Sequence, residues 1–364
     1  MGNIQRGYFM LSKLEHLPDG EKVAQGHFAH YGDFLFNTRN TLELVGKGAT
    51  WIGESKKYAF NSNIARFEMR GIDTFFFNYL YNTDEMIKQI HSRAMGTTSV
   101  AAIYPRSLKS ILYYAPPIDE QYAIGKLLLK LDSLIALHQR KHGKLKTVKQ
   151  SLLEKMFPKE GEDVPEIRFE GFTEPWEQRK LEEVATFGGG HTPSMADPCN
   201  YENGSIPWIT SQDVKSQRLD KTTTLITDKG AAELNLYPVG SLVVVVRSGI
   251  LRHTLPVAEL QKPMTVNQDI RVIVPTEALS SHWLLGYLEG NSRNLLLKFG
   301  KVGTTVESIN FSEMKSMGLM MPSREEQSRI GSLFAKLDSL IALHQRELEI
   351  LKNLKKAMLE KMFV

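Results

Sequence analysis

KLDSLIALHQR, from Lys130 to Arg140, recurs letter for letter from Lys336 to Arg346, 206 residues further on. The offset persists on both sides. LLEKMF ends at Phe157 and LEKMF at Phe363, while PPIDEQYAIG (Pro116–Gly125) faces PSREEQSRIG (Pro322–Gly331) with Gln121 opposite Gln327. A repeat this long is a duplicated domain, not a short solenoid unit or low complexity. Each copy reads as a globular body followed by a long helix.

The helices are the easiest part to read. In the first copy apolar side chains recur at Ile124, Leu127, Leu128, Leu131, Leu134, Ile135, Leu145, Val148, Leu152 and Met156. The second copy gives Ile330, Leu333, Phe334, Leu337, Leu340, Ile341, Leu348, Leu351, Leu354, Met358 and Met362. Steps of three and four place them on one stripe close to a heptad seam. His138 and His344 fall on that seam, where polar residues set register or meet a partner. Pro117 and Pro322 mark the entrances and Pro158 a stop. Asp119 and Glu325 favour the helix N-termini. About 34 residues make a rod of roughly 50 Å. The expected partner of each stripe is the sister helix, run antiparallel, with Ile124, Leu131, Leu134, Ile135, Ile330, Leu337, Leu340 and Ile341 in the seam. That pairing would set the two bodies at opposite ends of the rod, related by an approximate two-fold axis. The alternative is that each helix packs on its own domain.

The fold class expected is α+β: two globular domains joined by two long antiparallel helices. The segments are 1–117 (first domain), 118–158 (first helix), 159–323 (second domain) and 324–364 (second helix). DFLFN (Asp33–Asn37), SLVVVV (Ser241–Val246) and QDIRVIV (Gln268–Val274) read as strands, and NIARFEM (Asn63–Met69) matches the last. Thr74–Ala94 and His282–Gly300 read as helical stretches, each followed by a glycine–threonine turn. PKEGEDVPEIRFEGFTEPW, between Phe157 and the second domain, reads as a polar connection. The copies differ in extent: Met1 aligns with Pro207, so the first copy has no counterpart of Lys159 to Ile206. Either that domain is truncated, or another part of an assembly supplies the missing piece.

Composition adds little. Hydrophobic residues make 42% and charged residues 24%, ordinary for a globular chain, and the net charge of +4 is only mildly basic. The single cysteine, Cys199, excludes an internal disulfide and disfavours a cysteine zinc site. SLVVVV is too short to span a bilayer. No charged-then-apolar leader opens the chain, so the expected compartment is the cytoplasm, with no membrane partner.

Taken with PEIRFEGFTEPWEQRKLEEV, GGGHTPS, IPWITSQDV and GTTVESINFSEMKSMGLMMP, the two helix motifs resemble those of specificity subunits of type I restriction–modification systems. The resemblance covers nearly the whole chain. It implies two target-recognition domains, each reading half of a split sequence in double-stranded DNA. The paired helices would serve as ruler and docking surface for two modification (methyltransferase) subunits, and through them for restriction/translocase subunits. S-adenosylmethionine would belong to the modification subunits, and no cofactor or metal to this chain. Half-sites read from one face lie about 34 Å apart, a span that such a rod can present.

Candidate DNA contacts follow from chemistry and position. Arg39, Asn40 and Thr41 follow the strand DFLFN; arginine suits guanine and asparagine suits adenine. Lys47, Arg93 and the turn Gly96, Thr97 and Thr98 offer charge and amide donors to phosphate. In the second copy Thr210, Ser211 and Gln212 lie beside Trp208, itself expected in the core. Arg247 and Ser248 follow SLVVVV as Arg39 and Asn40 follow DFLFN. Lys301, Gly303, Thr304 and Thr305 repeat the turn, and Gly190, Thr192 and Ser194 belong to an expected flexible loop, GGGHTPS.

A catalytic centre is hard to place. DPCNY (Asp197–Tyr201) lacks the second proline of an adenine methyltransferase motif, and no GK[ST] follows the glycines at 188–190. PDGEK (Pro18–Lys22) is too compressed to hold a nuclease metal, and HExxH and GxSxG are absent. The expectation is a non-catalytic recognition subunit. The rival reading is a helical scaffold, or an inactive variant without sequence preference.

Overall fold

A computed structural model of the chain describes residues 2–18, 20, 22–96, 100–159, 161–302 and 306–363. The expected turn residues Thr97, Thr98, Gly303, Thr304 and Thr305 lie outside them. The fold is α+β. Its first half runs β1 (Phe34–Asn37), β2 (Arg39–Asn40), β3 (Gly48–Thr50), β4 (Ile64–Phe67), α1 (Thr74–Tyr81), α2 (Asp84–His91), β5 (Met95–Gly96), β6 (Ala101–Ala102), α3 (Pro105–Leu108) and the long α4 (Ile118–Lys155). The second half continues with β7 (Glu177–Lys180), α5 (Leu181–Val184), β8 (Ala185–Gly189), β9 (Ile206–Ile209), β10 (Arg218–Leu219), β11 (Thr224–Ile226), α6 (Asp228–Ala231), β12 (Leu242–Val245), β13 (Val257–Leu260), β14 (Thr265–Val266) and β15 (Ile270–Pro275). It closes with α7 (Ser281–Gly290), α8 (Ser292–Phe299), β16 (Gly300–Lys301), β17 (Ser308–Ile309), α9 (Phe311–Lys315), β18 (Gly318–Met321) and α10 (Arg324–Met362).

The chain divides into two units, but not where the sequence segments end. Met1–Arg140 with Gln345–Val364 form the first and Lys141–His344 the second. The division falls inside both long helices, because each helix serves two bodies in turn. The helix bounds themselves match the reading of the repeat to within three residues.

In the first unit a sheet of order β3-β1-β4 carries the core, with the aromatic side chains Phe34, Phe36, Phe76, Phe77 and Tyr81 packed between sheet and α1. In the second unit the corresponding strands are β13-β12-β15, extended by β10 on one side and β8 on the other. The β-branched run in β12 is wholly buried, sending alternate side chains to two cores. The register matches between units: Phe36 faces Ala65 on β4, and Val244 faces Arg271 on β15.

The repeated glutamine explains itself. Gln121 Oε1 accepts from the amide of Asp73 at 3.0 Å, and its Nε2 donates to the carbonyl of Pro116 at 2.7 Å. Gln327 does the same with Ser280 (2.8 Å) and Pro322 (3.0 Å). Asp73 and Ser280 are themselves the N-caps of α1 and α7, so one buried amide fixes the start of the long helix to the start of the short one. Gly125 and Gly331 allow that approach. A Cβ on Gly125 would stand 2.7 Å from the Phe76 amide, and one on Gly331 2.7 Å from His282 Cβ.

Within each unit the two helical stretches run antiparallel. In the first, His138 Nδ1 meets Glu347 at 2.8 Å and Asp132 meets Lys355 Nζ at 2.5 Å. In the second, Lys149 Nζ meets Asp338 at 2.6 Å, while Phe157 stacks on Phe334 with centroids 5.9 Å apart. Asp132 is the repeat counterpart of Asp338, and Lys355 of Lys149. The closing phenylalanines also correspond: Phe363 lies against Phe76, and Phe157 against Trp283. Each unit therefore joins a body and the start of its own helix to the end of the other copy's helix. Packing on the own domain and pairing with the sister helix both occur.

Several expectations change, among them Leu127, Leu354 and Met362, which belong to the apolar stripes yet are exposed. Leu340, placed in the seam, is 43% exposed, since Leu337 and Ile341 take the inward positions on that turn. Val148 is exposed and its neighbour Lys149 is buried instead. The polar stretch after Phe157 is not a mere connection. Arg168 makes a two-pronged bond to buried Glu326, both arms 2.8 Å, and Trp176 packs on Trp283. That stretch is part of the second unit's core.

Candidate nucleic-acid interface

The predicted contacts gather at corresponding places in the two units. In the second, a turn, Asn267–Asp269, ties three of the nominated segments together; its Gln268 and Asp269, expected in a strand, precede β15, which starts at Ile270. Its Asn267 amide donates to the Ile209 carbonyl at 2.9 Å, beside Thr210–Gln212. Thr192 Oγ1 meets Gln268 Oε1 at 2.7 Å, and the Val246 amide donates to the Asp269 carbonyl at 2.8 Å, just before Arg247. The first unit repeats the device in Asn61–Asn63, where the Thr38 amide donates to Asn63 at 2.8 Å, just before Arg39. Even the local brace recurs: Asn267 Oδ1 accepts from the Asp269 amide (3.0 Å) and Asn61 Oδ1 from the Asn63 amide (3.1 Å). The signal available beforehand was NSN opposite NQD at the common offset.

From these turns the chain leads into a small sheet in each unit. β2 pairs with β6 and β6 with β5, placing Arg39 and Met95 on either side of Ala102. β17 pairs with β16 and bridges to Arg247, placing Arg247 and Lys301 on either side of Ser308. Ser308 was not singled out by sequence, although it is the counterpart of Ala102. Arg39, Arg247 and Lys301 are exposed, and among the described residues none is engaged in an ion pair or side-chain hydrogen bond. Thr41 is exposed, its amide accepted by Asn40 Oδ1 at 2.9 Å. Gly96 has φ +130°, and a Cβ there would strike the Val100 carbonyl at 2.2 Å, so this turn requires glycine.

Other nominated residues are committed within the protein. Arg93 donates to the Gln89 carbonyl at 2.6 Å and to Ser110 Oγ and O at 3.0 and 2.9 Å, bracing α2 against the segment after α3. Lys47 reaches Gln5 Oε1 at 3.3 Å. Thr210 donates through amide and hydroxyl to Asp213, both 2.8 Å, leaving Gln212 exposed at the tip. Burial opposes ionisation of Asp213, but the bonds from Thr210 and Thr223 hold its carboxyl below the ordinary value. Ser248 gives its amide to the Glu307 carbonyl at 3.1 Å. GGGHTPS is not flexible in its bonding: Tyr237 OH donates to Gly189 O (2.7 Å), Trp208 Nε1 to His191 O (3.2 Å), and Tyr201 OH to Pro193 O (2.6 Å). Ser194 accepts from Asn200 through its carbonyl, and a Cβ on Gly190 would overlap the Val266 carbonyl. Trp208 is buried, as expected of a core residue.

Among the seam residues, Leu131, Ile330 and Leu337 are buried, and Ile124, Leu134, Ile135, Ile341 and His344 are half-buried. Among the described residues no helix is long and apolar enough to cross a membrane.

Residues 173–353 match the type I restriction modification DNA specificity domain. The specificity subunit of the type I restriction enzyme EcoR124I/EcoR124II of Escherichia coli is 31% identical over 49% of this chain and 47% of its own length. That of MjaIX from Methanocaldococcus jannaschii is 28% identical over 52% of this chain and 44% of its own. The chain thus spans about half the length of these two curated relatives. A further relative, the MjaVIII specificity subunit of the same archaeon, is 22% identical over 96% of this chain and 84% of its own. Among solved structures, the S subunit of the type I system of M. genitalium superimposes with a TM-score of 0.59 at 14% identity, covering 93% of this chain and 84% of that one. At that identity the likeness concerns the fold. Residues 173–353 thus carry the type I restriction modification DNA specificity domain, and the chain is similar over most of its length to a type I specificity subunit.

Proposed function

We propose that this chain reads a split target in double-stranded DNA for a type I restriction–modification complex, one word through each unit. The observation that carries the reading is the pair of uncommitted arginines, Arg39 and Arg247, at matching strand ends braced by matching turns. A guanidinium so placed supplies two parallel donors to guanine, with Asn40 next to Arg39 in the first unit and Ser308 bridged to Arg247 in the second as neighbouring polar groups. Because the residues beside the arginines differ between units, the two words differ. Two modification subunits would dock on the helices, bringing S-adenosylmethionine and the methyl-transfer chemistry, with restriction subunits attached through them. The chain itself would supply the address and no catalysis.

The test is a map of methylated bases in cells that express this chain with its modification subunit, against cells lacking it. A split, asymmetric motif dependent on the chain is the expected result. Arg247→Ala should weaken one word by about 1–3 kcal/mol and leave assembly intact. An unchanged methylation map with and without the chain would favour a scaffold.

A further inference from the structure

In the second unit one carboxylate closes the turn that follows β9. The Asp213 amide donates back to the Thr210 carbonyl at 3.1 Å. Asp213 Oδ2 accepts the amide and hydroxyl of Thr210, both at 2.8 Å. Its Oδ1 accepts the amide and hydroxyl of Thr223, at 2.8 and 2.7 Å, from the loop 220–223 that enters β11. β11 pairs antiparallel with β9, Thr224 opposite Trp208, so both loops leave the same end of one strand pair. Asp213 fastens them to each other.

Buried side chains pin the turn at both ends. Ile209 and Val214 pack with Val243 and Val245 of β12 in one core, and between them Gln212 is exposed. Lys215 and Lys221 stand exposed, one just after each fastened segment's polar tip and the other within the second loop. Among the described residues, neither lysine nor Gln212 has a side-chain hydrogen bond or ion pair. The Asn267–Asp269 turn connects this element to Arg247, since its ends bond to Ile209 and Val246, the residues before Thr210 and Arg247. Two uncommitted polar side chains, Gln212 and Arg247, therefore start from the two flanks of a single brace.

A glutamine amide offers one donor and one acceptor, the pattern that matches N7 and N6 of adenine in the major groove. Lysines beside it suit the phosphates that set register. A turn fixed by four donors to one carboxylate holds the amide in place before DNA arrives, so less ordering is left for binding to offset.

We propose that Gln212 reads an adenine in the second unit's word, beside the base read by Arg247. Asp213 is the positioning residue that holds it there, and Lys215 and Lys221 meet the flanking phosphates. This rests on the reading of DNA by the second unit and adds to it a base, a reader and the group that aims the reader.

The test uses the purified complex of the full chain with its modification subunits, bound to duplexes carrying the mapped motif with each base pair changed in turn. Gln212→Ala should remove discrimination at one A·T position by about tenfold or more, leaving the position that responds to Arg247→Ala unchanged. Gln212 is exposed and makes no side-chain bond, so this variant probes the base contact without disturbing the fold. Asp213→Asn keeps the side chain's size but turns an amide toward one threonine N–H. It should relax the same A·T position, and the double variant should discriminate there no worse than Gln212→Ala alone. A brace that serves only stability would weaken every position alike, and that outcome would overturn the positioning role. Lys221→Ala should lower affinity for all sequences and reduce the salt slope by about one. Unaltered base preference in Gln212→Ala, or a word without an A·T pair, would overturn the adenine contact while the response to Arg247→Ala keeps the DNA reading standing. Absence of any sequence dependence in the unsubstituted complex would sink both.

Discussion

Glu120 and Glu326 occupy the same place in the repeat, yet one faces water and the other is buried against an arginine fork. The same contrast runs through both units. A cleft of about 1360 Å³ in the first is lined by Leu11, Phe75, Asn78, Leu129 and Asp132. Their counterparts Gln217, His282, Leu285, Ala335 and Asp338 line a space of about 10 Å³ in the second. The helix-and-glutamine scaffold is common to both; what differs is how much chain covers it.

The largest test of that contrast is the lysine pair. Lys149 is buried between Glu289 and Asp338, at 2.6 Å from each. Lys149→Ala would strand two carboxylates, and we expect a loss of about 3–5 kcal/mol. Lys355, its counterpart, meets one carboxylate and lies over the Tyr79 ring at the edge of solvent, so Lys355→Ala should cost about 1 kcal/mol or less. Urea titration separates them, since tryptophan emission reports mainly the second unit, home of Trp176, Trp208 and Trp283. Equal losses would show that the units are sealed alike.

Next comes the closing phenylalanine. Phe157 is buried among Trp283, Tyr287 and Phe334, and Phe157→Ala should cost about 3–4 kcal/mol. Phe363 is half-buried against Phe76, and Phe363→Ala should cost about 1–2 kcal/mol. Thermal unfolding of the two variants checks the order. A larger loss at Phe363 would show its ring to be the tighter anchor.

The repeat made much of this legible. Identity at a fixed offset exposed the long helices with their paired glutamines and glycines, while Arg39 and Arg247 were matched by the apolar strands they follow. What it could not reveal was set by partners distant in sequence. Lys149 reads as one more solvated lysine until Glu289 and Asp338 converge on it. Arg93 reads as a phosphate ligand until its guanidinium is found donating to the carbonyls of Gln89 and Ser110. GGGHTPS reads as flexible because glycine permits many conformations; here the glycines admit Tyr237 and the Val266 carbonyl at close range. Leu340 obeys the helical period, yet period alone does not say how wide the covered stripe is.

The smallest effect expected is a pH slope in the second unit. Burial raises the carboxyl of Glu289 above its ordinary value of 4.5 and that of Asp338 above 3.8, with Lys149 pulling both back. The Asp338 charge adds to the rise at Glu289. A carboxyl whose pKa is higher folded than unfolded holds its proton more tightly in the folded state. Its contribution is therefore fully present below the unfolded value and lost as pH rises through the folded one. From these two groups the second unit should lose stability as pH climbs from the ordinary carboxylate range toward neutrality. Asp338→Asn removes one raised group and relieves the other, while Lys149 keeps Glu289 as its partner. The variant should show a flatter stability-against-pH curve in that window, measured by urea titration at successive pH values. An unchanged slope would place the pH dependence elsewhere and remove the buried triad as a difference between the units.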